Sequence, residues 1–239
     1  MSLFKNLDQD VAIEENRLGG FTLFPTDIYE AEIKMAYADA FPSGANFVQL
    51  QFEMPDGREY SERLIITNSS GENTYNDKRT GVKKGLPGFT ILNDIHLFVT
   101  GEPLNAAKTE KKQVLVYDYD LGKEVPQSKE VLIELIGQKI AMSIQQIKKN
   151  KQEKNESTGK YEDVNEAREV NEIHTIFHPE TKFTTTELRN GVEEPVFWDK
   201  WLEKNKDKVI DRFKEVNSKP AAFGMGGGNK AASGNPFAK

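Results

Sequence analysis

Residues 28–67 alternate apolar and polar side chains through three successive segments, a period of two that dictates strands rather than helices. In IYEAEIKMAY, Tyr29, Ala31, Ile33, Met35 and Tyr37 take one parity, and Glu30, Glu32 and Lys34 the other. NFVQLQFEM sets Val48, Leu50, Phe52 and Met54 against Gln49, Gln51 and Glu53. Pro55-Asp56-Gly57 then turns the chain back into REYSERLIIT as a hairpin partner. Each strand has one dry face and one wet face, so the sheet they build covers a core on one side only.

The segment after Thr67, NSSGENTYNDKRTGVKKGLPG, holds Tyr75, Lys78, Arg79, Lys83 and Lys84 among glycines and reads as a basic loop. Phe89, Leu92, Ile95 and Val99 are spaced by three and four, which predicts a helix over about residues 90–100, closed by Gly101. Residues 113–119 form a further strand. A long strand follows Gly137, with Ile140, Met142 and Ile144 on one side; a glycine at its entry lets a sheet bend enough to close. The polar run 148–169 reads as a mobile hairpin tip and 171–179 as the returning strand. Residues 184–190 suggest a helical turn. Pro195 opens an amphipathic helix to about residue 216, with Phe197, Trp201, Val209 and Phe213 on its apolar side.

Residues 1–20 are a polar arm, 21–216 one domain, and 217–239 a disordered tail of Ala, Gly, Asn and Ser. The expected class is mainly β: an OB-type barrel of five to six strands with a helix after the third, plus peripheral helices. A β-sandwich is the structural alternative.

The chain contains no cysteine, which excludes disulfides, thiolate metal sites and thiol catalysis, and fits a reducing compartment. No apolar run approaches the ~20 residues of a membrane span, so a cytoplasmic location without membrane contact is expected. The net charge of −6 argues against coating duplex DNA by charge alone. That charge is uneven, however: residues 21–70 carry 3 cations against 8 anions, whereas 138–160 carry 6 against 2. An acidic body with basic stretches leaves room for a local polyanion groove.

Catalytic patterns are weak. His174-x-x-x-His178 lies in a strand context, where residues four apart stand ~13 Å from each other, too far for one zinc. Asp118-x-Asp120 reads as a solvated turn, and Asp27 with Glu32 and Lys34 lacks the hairpin that a nuclease site needs. Neither enzyme activity nor a cofactor is expected. Binding patterns are stronger, because single strands are held by cations for phosphates and by rings that stack on bases at ~1–3 kcal/mol each. Tyr60 accompanies Arg58 and Arg63, and Tyr75 accompanies the basic loop. Tyr117 and Tyr119 share a strand face, and Tyr161 follows Lys160. Lys139, Lys148, Lys149, Lys151 and Lys154 extend the cationic set along the long strand.

NTYNDKRTGVKKGLPGFTILNDI, VLVYDYDLGKEVP, LIGQKI, NEIHTIFHPETKFTTTE and FWDKWLEKNKDKVIDRFK, in that order, resemble a family of bacteriophage single-stranded DNA-binding proteins. The resemblance runs from about residue 20 to about residue 215. It implies an OB-type fold, no catalysis, and protection of single strands during phage DNA replication, recombination or repair, with replication or recombination proteins as further partners. Many single-stranded DNA-binding proteins end in an acidic tail closing on Pro-Phe, which recruits replication enzymes. Here Pro236-Phe237 is followed by Ala238 and Lys239 without an acid, so recruitment through that tail is in doubt. The alternative function is a protein-interaction adaptor that docks through the Phe197/Trp201/Phe213 helix. Oligomeric state is open.

Overall fold

The computed structural model describes residues 23–118 and 121–216. The arm predicted over 1–20, the tail over 217–239, Tyr119 and Asp120 lie outside the described residues.

The chain is mainly β. Strands β1 (Asp27–Ala40), β2 (Asn46–Glu53) and β3 (Glu59–Ile65) form the expected antiparallel meander. Gly57, at φ +80°, completes the Pro55 turn, with its N–H on the Met54 carbonyl at 2.9 Å. A small hairpin, β4 (Thr74–Asn76) with β5 (Lys83–Gly85), occupies the basic loop. Helix α1 (Pro87–Thr100) follows, starting earlier than the spacing suggests because Pro87 takes the first helical position; Gly101 ends it at φ +76°. Strands β6 (Thr109–Asp118) and β7 (Lys123–Leu132) make a second hairpin, and β8 (Lys139–Lys154) with β9 (Tyr161–Phe177) a third, much longer one. Helices α2 (Thr185–Arg189) and α3 (Phe197–Asn205) precede a short strand, β10 (Val209–Asp211).

Eight strands form one sheet with the path β10-β8-β1-β2-β3; β7 joins β1 and β6, and β9 joins β8. β1 is the hub. Its first half pairs with β8 and its second half with β7, and the switch falls at a register shift between Ile33 and Met35. Lys34 is the extra residue of that bulge. The shift inverts the alternation: Ala36 joins Ala31 and Ile33 in the main core, while Tyr37 and Met35 face the opposite side. The single dry face expected for Tyr29 through Tyr37 is therefore broken in two. Gly137, at φ +78°, turns the chain from β7 into β8, and its N–H reaches the Ile33 carbonyl at 2.8 Å.

The main core lies inside the curl of this sheet, under α1, and contains Leu50, Phe52, Ile140, Met142, Ile144 and Leu92. The sheet is not closed: β3 and β9 are both unpaired on one side. A side chain bridges the gap instead. Glu62 of β3 accepts the Ile173 N–H of β9 at 2.8 Å and the Tyr60 hydroxyl at 2.5 Å.

Two further expectations change. The run 148–169 is mostly paired strand, and only residues 155–160 form the tip. The helix expected to reach residue 216 stops at Asn205: Asp207 takes φ +58°, and Val209–Asp211 pairs in parallel with β8. Among the described residues no helix is long and apolar enough to cross a membrane.

Candidate nucleic-acid interface

The outward faces of β2 and β3 form a polar surface, bounded on the β1 side by Tyr37 and Met35. Across it, Tyr37 pairs with Gln49 and Gln49 with Arg63; Met35 pairs with Gln51 and Gln51 with Ser61. At one end, Phe41 and Phe47 pack with ring centroids 4.7 Å apart, and the Arg63 guanidinium stands 4.5 Å over Phe47 and 5.6 Å from Phe41. Arg63 Nε also donates to Gln49 Oε1 at 3.3 Å. Among the described residues Arg63 forms no ion pair, so rings and amides hold this cation in place of a carboxylate. Such a contact contributes about 0.5–1 kcal/mol at an exposed site, little enough for a phosphate to displace.

Two hairpins flank this surface. Gly44, in the β1–β2 turn, approaches Ser69 so closely that a Cβ would meet the Ser69 carbonyl at 3.3 Å, which sets the root of the β4–β5 hairpin beside Phe41. That hairpin gathers Tyr75, Lys78, Arg79, Lys83 and Lys84, all exposed, and Tyr75 faces Lys84 in register. Lys84 binds Asp77 and holds its carboxyl down at about 2. Lys78, Arg79 and Lys83 have no ion pair among the described residues. On the other flank, β6–β7 presses Val114, Val116 and Val131 onto Tyr37 and Met35. Leu115 and Tyr117 therefore take the opposite, exposed face.

Tyr60 is a correction. Its parity places it inside with Leu64, 4 % exposed, stacked on Phe52 and edge-on to Phe24, so it cannot meet a base. Arg58 is engaged too, pairing with Asp56 at 2.7 Å and lying 4.5 Å over Phe24. Tyr75, Tyr117 and Tyr161 are exposed but ride on three separate hairpins, so the tyrosines do not form one row. Tyr161 sits by the long hairpin's tip, opposite Lys154. Lys139 starts β8 opposite Glu32. Lys148 pairs with Asp211 at 3.4 Å, Lys149 with Glu172 at 2.7 Å, and Lys151 with Glu166 at 3.0 Å. These surface pairs are weak and salt-screened, which leaves the lysines open to exchange of partners.

Two places escaped the sequence reading. Phe47 could have been found there: it is the aromatic residue sharing a parity with Gln49, Gln51 and Glu53. The second is a polar niche of about 260 Å³ where the C-terminal segment crosses β8–β9, lined by Lys149, Arg168, Arg212 and Lys214. Its members are scattered over 66 residues of sequence, so no local pattern announces it.

A larger cleft of about 680 Å³ opens between α1, β9, α2 and Phe197. Ile91, Ile173 and Ile176 line its floor. Asp94 accepts the Thr185 hydroxyl at 2.8 Å, and burial pushes its carboxyl up. At its edge His174, the bulged residue of β9, accepts the Trp201 indole N–H on Nδ1 at 3.0 Å, and burial lowers its basicity. His174 is thereby a neutral structural acceptor, and His178 Nδ1 accepts the N–H of Thr181 at 3.2 Å. Trp201 itself is 2 % exposed and packs on Ala141 and Phe177. Trp201 is thus spent on the protein's own sheet, whereas Phe197 of the same helix is 37 % exposed.

Neither a family model nor a curated protein matches this chain.

Proposed function

We propose that this chain is a non-enzymatic, sequence-tolerant single-stranded DNA-binding protein, built on an OB-type barrel left open between β3 and β9. One observation carries the proposal: a cation without a carboxylate partner, Arg63, rests on Phe41 and Phe47 at the end of an amide-lined sheet face. A strand crossing this face offers Arg63 a phosphate, and the partly exposed Phe41 ring beneath it can take a base, while buried Phe47 backs that ring from below. Gln49, Gln51 and Ser61 meet sugar and base edges by hydrogen bonds that every sequence can make. Tyr75 with Lys78, Arg79 and Lys83, cations with no ion pair among the described residues, closes one flank, while Tyr117 on β6 faces away from this surface. The sequence resemblance supports the same reading and extends it to phage replication, recombination or repair.

The test is fluorescence anisotropy of labelled oligo(dT) at low salt. Binding is expected, with log affinity falling against log salt by about 0.7 per phosphate contacted. Arg63→Gln should weaken it at least about tenfold, since one charge-assisted contact is worth ~1.5–3 kcal/mol, while loss of the ring contact lowers the melting temperature by no more than about 4 °C. An unaltered anisotropy over the whole protein range would end the proposal.

A further inference from the structure

In the niche on the long hairpin, Lys149 and Arg168 stand directly opposite each other in the β8–β9 ladder. Like charges in that arrangement repel and destabilise a sheet. The structure adds two more cations to the same spot. Asn150, 7 % exposed, donates to the Lys214 and Val164 carbonyls at 2.7 and 2.9 Å and accepts the Lys214 N–H at 2.9 Å. The Arg212 N–H reaches the Lys148 carbonyl at 2.8 Å. A buried amide thus clamps the chain over the hairpin and brings Arg212 and Lys214 against Lys149 and Arg168.

The anions present fall short of balancing four cations. Glu172 is shared between Lys149 at 2.7 Å and Arg212 at 3.0 Å. Asp163 lines the niche but accepts from Gln152 Nε2 at 2.9 Å. Arg168 and Lys214 have no ion pair among the described residues. In a chain of net charge −6, this concentration of positive charge costs stability unless an anion answers it. The volume, about 260 Å³, has room for a phosphate group together with several waters of ~30 Å³ each.

We propose that this niche is a phosphate-binding site. Its cations take an anionic oxygen cluster between Arg168, Arg212 and Lys214, with Lys149 released from Glu172 as the fourth contact. Its physiological occupant is a backbone phosphate of a bound single strand, a step that rests on the function proposed above. The site lies on a different hairpin from Arg63, so a strand held at both is anchored at two separated points.

Two experiments on the full chain separate the claims. Tripolyphosphate is titrated at low salt into protein labelled on arginine, with the side-chain Nε–H resonances followed by NMR. The Arg168 and Arg212 signals should move saturably while that of Arg58 stays; no movement up to millimolar ligand overturns the site. Oligo(dT) affinity is then measured against salt for the native chain and for the Arg168→Gln/Lys214→Gln variant. The variant's slope should be shallower by about 0.7–1.4. If the native chain binds oligo(dT) and the slope is unchanged, the niche has no role on nucleic acid. If tripolyphosphate shifts the arginines but oligo(dT) does not bind, the single-strand function fails and the niche stands as a site for a free phosphate ligand.

Discussion

Glu62 does at one residue what a ladder of hydrogen bonds does elsewhere in the sheet. Its carboxyl takes the Tyr60 hydroxyl and the Ile173 N–H, joining two strands that share no backbone pairing. Burial, opposed by those same hydrogen bonds, pushes it up from 4.5 to about 7. The sign follows from proton counting. Between pH 4.5 and about 7 the folded chain keeps a proton that the unfolded chain has lost, so this residue's contribution to stability falls as pH rises across that window. Above it the cost is complete, on the order of 3–4 kcal/mol for a shift of this size. Glu62→Gln retains an oxygen for both donors and removes the titration. Its stability relative to the native chain, from urea melts, should therefore improve between pH 5 and pH 8, by an amount of that order. A difference that is flat with pH would mean that Glu62 is ionised throughout.

At the scale of elements, the contact between α1 and β3 decides how closely the helix covers the core. A Cβ on Gly88 would stand 2.5 Å from the Ile65 carbonyl oxygen and 2.7 Å from its nitrogen, both backbone atoms that cannot turn aside. Glycine-to-alanine changes in helices ordinarily stabilise by up to ~1 kcal/mol. Here the sign should invert, with Gly88→Ala costing about 1–3 kcal/mol through displacement of the helix, read as a lowered melting temperature. Elements with a clean hydrophobic rhythm were legible in the sequence: β2, β3, α1 and the buried row Ile140, Met142 and Ile144. The rest was hidden for physical reasons. Lys34 is an ordinary exposed lysine, and nothing local marks it as the bulge that turns Tyr37 away from the main core. The outer part of β8–β9 is polar on both faces and pairs through its backbone, so it reads as loop. Phe197, Trp201, Val209 and Phe213 share helical spacing, yet the left-handed Asp207 leaves the first two in a helix, Val209 in an edge strand and Phe213 beyond it. Of the candidate site, Arg63 and the Tyr75 hairpin were visible. Tyr60 was misplaced because its parity with Leu64 outweighs its polar neighbours, and the phosphate niche needed the chain to return across 66 residues.

For the whole molecule, the distribution of charge sets which nucleic acid it can prefer. The chain carries a net −6, and acidic side chains such as Glu53 and Glu59 edge the face that holds Arg63. A duplex brings about one negative charge per 1.7 Å along a stiff rod, so it cannot lie along the face that holds Arg63 without also approaching these carboxylates. A single strand can bend around them and lay unstacked bases on Phe41 or Tyr75. The two substrates then draw on different forces. Phosphate contacts weaken with salt for both, but stacking at ~1–3 kcal/mol per base survives only for the single strand. Unlabelled duplex should therefore compete with labelled oligo(dT) of equal length at least about tenfold less well than unlabelled oligo(dT), the ratio expected from one stacked base. The gap should widen as salt is raised from ~0.05 M to ~0.2 M, because each phosphate contact contributes a log–log slope of about −0.9 on duplex but only about −0.7 on a single strand. Equal competition at both salts would show that charge alone holds the nucleic acid, and would remove the rings of Phe41 and Tyr75 from the site.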